Sequence, residues 1–200
     1  MLAESEIIWS EKIATSLLGF LTGIAGSFVG FLIWPRLKMW WIRRNIVVTS
    51  RDSVNGHISC FVHNKSCFSM SKVMGYIDLN YKVEDILDPN KVAPHKQSII
   101  HPDFPDLLVN GQLCWAIMGK DSNPIRIDVY ADEMQHLCIG QLHPQFIEIV
   151  SEAGIEPSRC LLMKKRYTGK LKIVSADCSA VVYKITIDPN QKQPLLMDRV

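Results

Sequence analysis

Several familiar motifs are missing from this 200-residue sequence, and their absence narrows what the chain does. It has no CxxC, HExxH or H-x-E pattern, which argues against a zinc site of common spacing. It has no GxSxG elbow, Walker loop or GxGxxG turn, which argues against familiar hydrolases and nucleotide-binding enzymes. It also has no internal repeat and no low-complexity segment. We therefore expect a protein without a catalytic site or a cofactor.

Charge is absent from the 22 residues from Ile13 to Trp34. With a rise of about 1.5 Å per residue, a helix of this length is roughly 33 Å long and spans a hydrocarbon core of about 30 Å. A core helix of a soluble protein would keep a polar face. A signal peptide would have a shorter apolar run after a basic segment, whereas residues 1–12 are acidic. The run predicts a retained transmembrane helix at residues 13–34.

Tryptophans and cations follow the apolar run closely. Residues 35–44 are predicted to be a juxtamembrane segment, in which Pro35 ends the helix at the membrane boundary. Positive flanks stay in the cytoplasm, so the acidic tail at residues 1–12 is predicted to be extracytoplasmic and the remaining chain cytoplasmic, at a cell inner membrane. The predicted membrane-interface residues are Trp34, Arg36, Lys38, Trp40, Trp41, Arg43 and Arg44.

Glycine recurs at spacings of four, three and four residues within the predicted transmembrane helix. This spacing places the glycines on one helical face, where a second helix can approach closely. The pattern predicts self-association, with the chain forming a homo-oligomer in the lipid bilayer. The predicted helix-association residues are Gly19, Gly23, Gly26 and Gly30.

Short alternating apolar runs separated by turn residues dominate residues 45–190. Period-two alternation with β-branched residues is typical of half-buried strands. We predict an all-β domain, an antiparallel β-sandwich that is immunoglobulin-like or C2-like, with a barrel as the alternative. Residues 83–109 are predicted to form a long loop, and residues 191–200 a flexible tail. The predicted strands are 45–49, 57–63, 72–82, 112–118, 125–130, 136–141, 146–150, 159–165, 170–175 and 180–187.

Two local patterns are candidates for ligand binding. His57, Cys60, His63 and Cys67 have metal-like spacing, but alternation along a strand would point Cys60 away from both histidines. A run without acidic residues, centred on a turn predicted at 167–169, suggests contact with an anion or with anionic lipid. The alternative is an exposed strand edge, on which lysines discourage pairing with a strand of another molecule. The cations predicted to make this contact are Lys164, Lys165, Arg166, Lys170 and Lys172.

The net charge of residues 45–200 is zero, so a nucleic-acid partner is not expected. The sequence therefore favours a membrane-anchored cytosolic β-domain that binds an unknown protein or small-molecule ligand. One alternative is a ligand-triggered membrane effector of the kind found in some bacterial antiphage systems. A second alternative is a membrane-tethered enzyme that lacks a familiar motif.

Overall fold

The computed structural model describes residues 2–51, 55–88, 111–116, 124–152 and 157–200. They divide into two compact units, one extending to Trp40 and the other comprising Trp41–Val200. The second unit holds the β-domain together with the last turn of the N-terminal helix.

The N-terminal helical segment has three consecutive parts. Helix α1 spans Leu2–Phe28, a π-helical turn spans Val29–Ile33, and helix α2 spans Trp34–Asn45. The stretch Thr15–Asn45 has a mean hydropathy of 1.9 and is long and apolar enough to cross a membrane. Its apolar side chains are solvent-exposed, with Leu18 at 69% and Phe31 at 82%. The prediction of a single apolar N-terminal helix is confirmed.

The helix does not end at Pro35, contrary to the sequence-based expectation. Pro35 lies in the first turn of α2, where a missing backbone N–H is tolerated. The preceding π-helical turn accommodates the proline, because Trp34 donates its N–H to the carbonyl of Val29, five residues earlier. Proline therefore alters the hydrogen-bond pattern here instead of terminating the helix.

The tail predicted at residues 1–12 is helical from Leu2.

Eleven strands follow among the described residues, and every pairing between them is antiparallel. The ten predicted strands are all found, with boundaries shifted by a few residues. Their bounds are β1 Ile46–Ser50, β2 His57–Asn64, β3 Met70–Asn80, β4 Gly111–Ala116, β5 Ile127–Val129, β6 Met134–Leu142, β7 Phe146–Glu152, β8 Pro157–Met163, β9 Tyr167–Ser175, β10 Cys178–Ile187 and β11 Leu195–Arg199.

The strands form one nearly closed, barrel-like sheet in the order β1-β2-β6-β4-β3-β9-β10-β11. Strand β5 pairs with β3, while β7 pairs with β6 and β8. The two end strands, β1 and β11, lie beside each other. One face of the sheet encloses a continuous apolar core that includes Trp115, Leu137 and Ile173, all fully buried. This sheet confirms the prediction of an antiparallel all-β domain.

Side chains close the seam between the two ends of the sheet. The buried Tyr183 hydroxyl accepts a hydrogen bond from the Val48 N–H at 3.2 Å and donates one to the Ile46 carbonyl at 3.1 Å. The Arg199 guanidinium donates to the carbonyls of Ile46 and Arg44, each at 3.2 Å, and to that of Arg43. Backbone groups of β1 and of the helix C-terminus are thereby satisfied without strand pairing.

Two sequence-based expectations at the end of the chain are wrong. Residues 191–200 are not a flexible tail, because β11 pairs with β10 over five residue pairs and buries Leu195. Nor are residues 167–169 a turn, because they begin β9, with Tyr167 buried. Gly169 is needed there because a Cβ atom would collide with the Asp78 carbonyl of the neighbouring strand. The β8–β9 connection instead lies at Lys164–Arg166.

Part of the predicted loop at residues 83–109 is described. Val83–Asp85 form a 3-10 turn, and Ile86 makes an isolated β-bridge to Leu162. The rest of the predicted loop, from residue 89, lies outside the described residues.

Candidate functional site

Strands β2, β4, β6, β7 and β8 present two chemically different faces. On β2 and β6, Cys60, Leu137 and Ile139 point into the core and are buried. The alternate positions, which include His57 and His136, line a cavity on the opposite face. Because successive strand residues point to opposite sides, this segregation follows directly from the alternation in the sequence.

The cavity, here called the polar pocket, has a volume of about 530 Å³. Sites for small molecules commonly measure about 300–1,000 Å³ and combine apolar walls with a few converging polar groups. The pocket lies within that range of volume, but most of its lining residues are polar. It is lined by Arg51, Asn55, His57, Ile58, Ser59, Cys114, Ala116, His136, Cys138, Gly140, Gln141, Glu148, Val150 and Arg159.

Backbone geometry brings the polar residues of the pocket together. The β2–β6 register shifts between Ile58 and Ser59, forming a bulge in the pocket wall. Arg51 follows β1, and its N–H donates to the Ser59 carbonyl at 3.1 Å. Gly140 lets β7 approach closely, because a Cβ atom there would collide with the carbonyl oxygen of Glu148. The close approach of β7 to β6 depends on this glycine.

Glu148 is the only acidic residue among the described residues that line the pocket, and it is 2% exposed. Its Oε1 accepts a hydrogen bond from Arg159 Nη1 at 2.9 Å, and its Oε2 lies 2.8 Å from His143 Nε2. The His143 ring stacks on Phe146 with centroids 4.3 Å apart, which fixes its orientation. Both carboxylate oxygens are therefore engaged, as a buried charge requires. This network holds Arg159 in the pocket wall.

Two buried nitrogen atoms of the pocket residues, His136 Nε2 and Arg159 Nε, have no hydrogen-bond partner among the described residues. Burial, together with nearby Arg51 and His57, lowers the pKa of His136. His136 is therefore neutral near pH 7. A buried polar group without a partner costs about 1–3 kcal/mol, so the two nitrogens make an unfavourable contribution to the stability of the pocket wall.

The pocket thiols do not have the properties of a catalytic nucleophile. Burial raises the pKa of Cys138, which keeps it protonated at neutral pH. A cysteine nucleophile instead needs a lowered pKa and a positively charged, accessible environment. The Cys114 thiol is buried as well. These observations favour binding over cysteine-based catalysis at this site.

The four residues with metal-like spacing do not converge. Cys60 lies in the core, where burial raises the pKa of its thiol, while His57 lines the polar pocket on the opposite face. His63 lies 3.0 Å from the Asp132 carboxylate, and Cys67 is exposed. No group of three or more potential metal ligands is found within the part of the chain that the structure describes.

The predicted basic contact residues are distributed over a turn and a strand. Lys164, Lys165 and Arg166 form the β8–β9 connection, and Lys170 and Lys172 lie on β9. Lys165 pairs with the buried Asp85, and Lys172 lies 4.0 Å from Asp78. Burial alone would raise the pKa of Asp85, but the Lys165 ammonium and the Lys82 N–H outweigh it and lower that pKa. Contact of these cations with an anion or lipid stays a prediction.

The predicted helix-association and membrane-interface residues all lie on the N-terminal helix. Gly19, Gly23 and Gly26 belong to α1, whereas Gly30 lies in the π-helical turn. A Cβ atom at any of the four would meet nothing within 4 Å. On α2, the predicted interface side chains are exposed except that of Lys38, which is partly buried. The glycine face is therefore open within this unit.

The sequence does not predict the polar pocket as a unit. Of the residues that line it, only His57 belongs to a predicted ligand pattern, the one with metal-like spacing. The available signal was the alternation of polar residues on β2 and β6. The strand order, which places β7 next to β6 and β8 next to β7, cannot be read from that alternation.

Comparison of the chain with models of known protein families, with curated proteins and with solved structures finds no match. The assignment of function therefore depends on the geometry of the pocket and of the helix.

Removing the Glu148 carboxylate tests the network that builds the pocket wall. We expect Glu148→Gln to lower the free energy of unfolding by about 2–3 kcal/mol, because Arg159 and His143 lose their shared acceptor in a buried place. Chemical unfolding of the full chain in detergent, followed by near-ultraviolet circular dichroism, measures this change.

Asp78→Asn provides the matched control, since the Asp78–Lys172 pair is about one-third exposed and 4.0 Å apart. Such a pair contributes at most about 1 kcal/mol. The double variant Glu148→Gln/Arg159→Gln should lose less than the sum of the two single variants. Equal losses in Glu148→Gln and Asp78→Asn would contradict a structural role for the network.

Proposed function

We propose that this chain is a membrane-anchored recognition protein whose β-domain binds a small anionic ligand in the polar pocket. The observation that carries the proposal is the convergence of Arg51, Arg159, His57 and His136 on one cavity, whose described lining residues include a single acidic side chain. The apolar helix Thr15–Asn45 is the anchor. The finer assignment of the β-domain to an immunoglobulin-like or C2-like sandwich stays a prediction.

The charge balance of the pocket supports an anionic ligand. Arg51 and Arg159 contribute two positive charges, and Glu148 contributes one negative charge. Among the described lining residues, these three side chains together have one excess positive charge. Arginine binds carboxylates and phosphates through paired, charge-assisted hydrogen bonds, which suits an oxygen-rich anion.

Arg51 is the residue through which the proposal is best tested. It is exposed, so its removal should not disturb the core. We expect Arg51→Gln to weaken anion binding about tenfold or more, because a charge-assisted hydrogen bond is worth about 1.5–3 kcal/mol. Isothermal titration calorimetry of the full chain in detergent micelles measures this loss of affinity. Titrations with sulfate, pyrophosphate and adenosine monophosphate compare the affinities for anions of increasing size.

Arg126→Gln is the matched control, because Arg126 is also exposed and does not line the pocket. It should retain wild-type affinity for each anion. Absence of binding by the wild-type chain, or an equal loss of affinity in both variants, would overturn the proposal.

We also propose that the acidic N-terminal end lies outside the cell membrane and that the β-domain is cytoplasmic. This orientation is supported by the positive flank that contains Arg36, Lys38, Arg43 and Arg44. It would place the pocket among intracellular anions.

Cys67 provides a reporter of this orientation, since it is exposed whereas four of the other cysteines are buried. A membrane-impermeant maleimide should label the chain only after cells are lysed. Cys67→Ser should remove most of that labelling, which identifies the reacting thiol. Labelling of Cys67 in intact cells would place the β-domain outside and reverse the proposed topology.

We further propose that the helix self-associates through its glycine face. Support comes from the open space around Gly19, Gly23 and Gly26, together with a surface groove beside Gly19 and Gly23. In the second candidate function, a membrane effector, ligand binding in the pocket would cluster these helices and perturb the bilayer.

Gly23→Ile tests helix association because it places a branched side chain on that face. We expect crosslinked oligomers in membranes to fall severalfold. Ala25→Ile is the matched control, since Ala25 is also small but lies on the opposite side of α1 by helical periodicity. Equal effects of both variants would contradict a glycine-specific interface. Growth of cells that express the chain separates the two functions. If a ligand arrests growth with the wild-type chain but not with Gly23→Ile, this favours the effector over a simple membrane tether.

A further inference from the structure

Two cysteines face each other across neighbouring strands of the pocket wall. In the antiparallel register of β4 and β6, Cys114 lies directly opposite Cys138. The adjacent pair in this register, Trp115 and Leu137, belongs to the apolar core. Because successive strand residues point to opposite sides, both cysteine side chains project from the other face of the sheet, which is the face of the polar pocket.

The spacing of directly opposed residues is compatible with a disulfide bond. In an antiparallel pair their Cα atoms are about 4.5–5.5 Å apart, and disulfides join Cα atoms about 4.4–6.8 Å apart. Their Cβ atoms are about 4.5–5.5 Å apart, which exceeds the roughly 3.8 Å of an unstrained disulfide. A bond between Cys114 and Cys138 therefore requires only a small approach of the two strands, and it is strained once formed.

We propose that Cys114 and Cys138 form a reversible disulfide bond, which makes the pocket wall a redox-sensitive site. Both residues are thiols in this structure. Strain makes a disulfide easier to reduce, so a thiol reductant breaks the bond again. This suits the cytoplasmic location proposed above, because disulfides in a reducing compartment are usually transient. The bond goes beyond the proposed anion binding and does not depend on it.

The strand register separates Cys138 from the other buried thiols. Across β2, Cys138 faces Ser59, whereas Cys60 is the next residue and points into the core. Burial, and to a smaller extent a charge on Cys138, raises the pKa of Cys60, so Cys60 is the nearest competing thiol. Cys160 and Cys178 also belong to the core. Cys114 is therefore the expected partner of Cys138.

Hydrogen peroxide is an oxidant that balances the reaction. Cys138 reacts first, because it is partly exposed whereas Cys114 is only 3% exposed. Its thiolate attacks one peroxide oxygen, the O–O bond breaks, and hydroxide leaves as a sulfenic acid forms. The Cys114 sulfur then attacks the Cys138 sulfur, the S–O bond breaks, and the leaving hydroxide takes up the thiol proton. Two thiols lose two electrons, and one peroxide is reduced to two water molecules.

The first of these two steps limits the rate. Burial raises the pKa of Cys138 more than nearby Arg51 lowers it, so little thiolate is present at neutral pH. Because the thiolate is the nucleophile, a mildly alkaline buffer accelerates this step. The second step joins sulfurs that already face each other, so we expect little accumulation of the sulfenic acid.

Mass spectrometry of the oxidised chain tests the proposal. The full chain with Cys67→Ser, which removes the exposed thiol, is treated with hydrogen peroxide in micelles at about pH 8.5 and then alkylated in denaturant. Trypsin cleaves after Lys120 and Arg126, which separates the two cysteines. We expect their two peptides to be joined with the loss of two hydrogen atoms. Excess glutathione under native conditions should restore both thiols.

Single variants identify the two partners independently. Cys114→Ser should abolish the disulfide and leave Cys138 as a sulfenic or sulfinic acid, whereas Cys138→Ser should leave Cys114 reduced. Cys160→Ser is the matched control, because it also removes a buried thiol, and it should retain the bond. The peptide assignment needs no change on β4 or β6, so it stands even where one of these variants fails to fold.

A bound anion should slow the oxidation, because Cys138 lines the polar pocket. With saturating adenosine monophosphate, we expect the rate of disulfide formation to fall severalfold. This expectation alone rests on the proposed function. An unchanged rate would count against anion binding in the pocket and leave the disulfide standing.

A disulfide that joins Cys138 to Cys60 would overturn the proposed pair. So would a chain in which Cys114 is still alkylated after Cys138 has been oxidised to a sulfinic acid, because the two sulfurs then do not meet. A bond that survives excess glutathione under native conditions would contradict its reversibility. Each of these results would leave the proposed anion binding intact.

Discussion

The hydroxyl group of Tyr183 holds the two ends of the sheet together. Within the described parts of the chain, the outer edge of strand β1 pairs with no other strand, and this phenol accepts from one β1 residue and donates to another. Without it, the buried N–H of Val48 and the carbonyl of Ile46 would lack these partners. Arg199 extends the same seam to the carbonyls at the end of α2. Because β1 leads directly into Arg51 and β2, the position of the polar pocket depends on this closure.

Burying a charged side chain in the wall of the polar pocket has a cost in desolvation. Glu148 is almost completely buried, and an isolated carboxylate in that position would be strongly destabilising. Arg159 and His143 offset this cost, because each binds one oxygen of the Glu148 carboxylate. Arg159 therefore links β8 to β7 through the carboxylate whose charge it compensates.

Much of the architecture was predictable from the sequence because its signals are local. The uncharged run before Trp34 and the period-two alternation of β2, β3 and β10 need no knowledge of distant contacts. Strand β11 was missed because its signal is weak on its own and depends on pairing with β10. The role of Pro35 was misjudged because a π-helical turn upstream can accommodate proline, which a rule based on α-helices does not anticipate. The pocket was missed because residues 51, 136 and 159 become neighbours only through the strand order.

The separation of the sheet into a core face and a pocket face has a consequence for evolutionary change. The apolar core includes Cys60, Leu137 and Ile139, whereas His57 and His136 lie at alternate positions and line the pocket. Substitutions at His57 or His136 therefore change the chemistry of the pocket while leaving the core intact. Gly140 is the exception, because any side chain there would collide with the Glu148 carbonyl of β7. The pocket face can therefore diversify by single substitutions, bounded by one position that has to remain glycine.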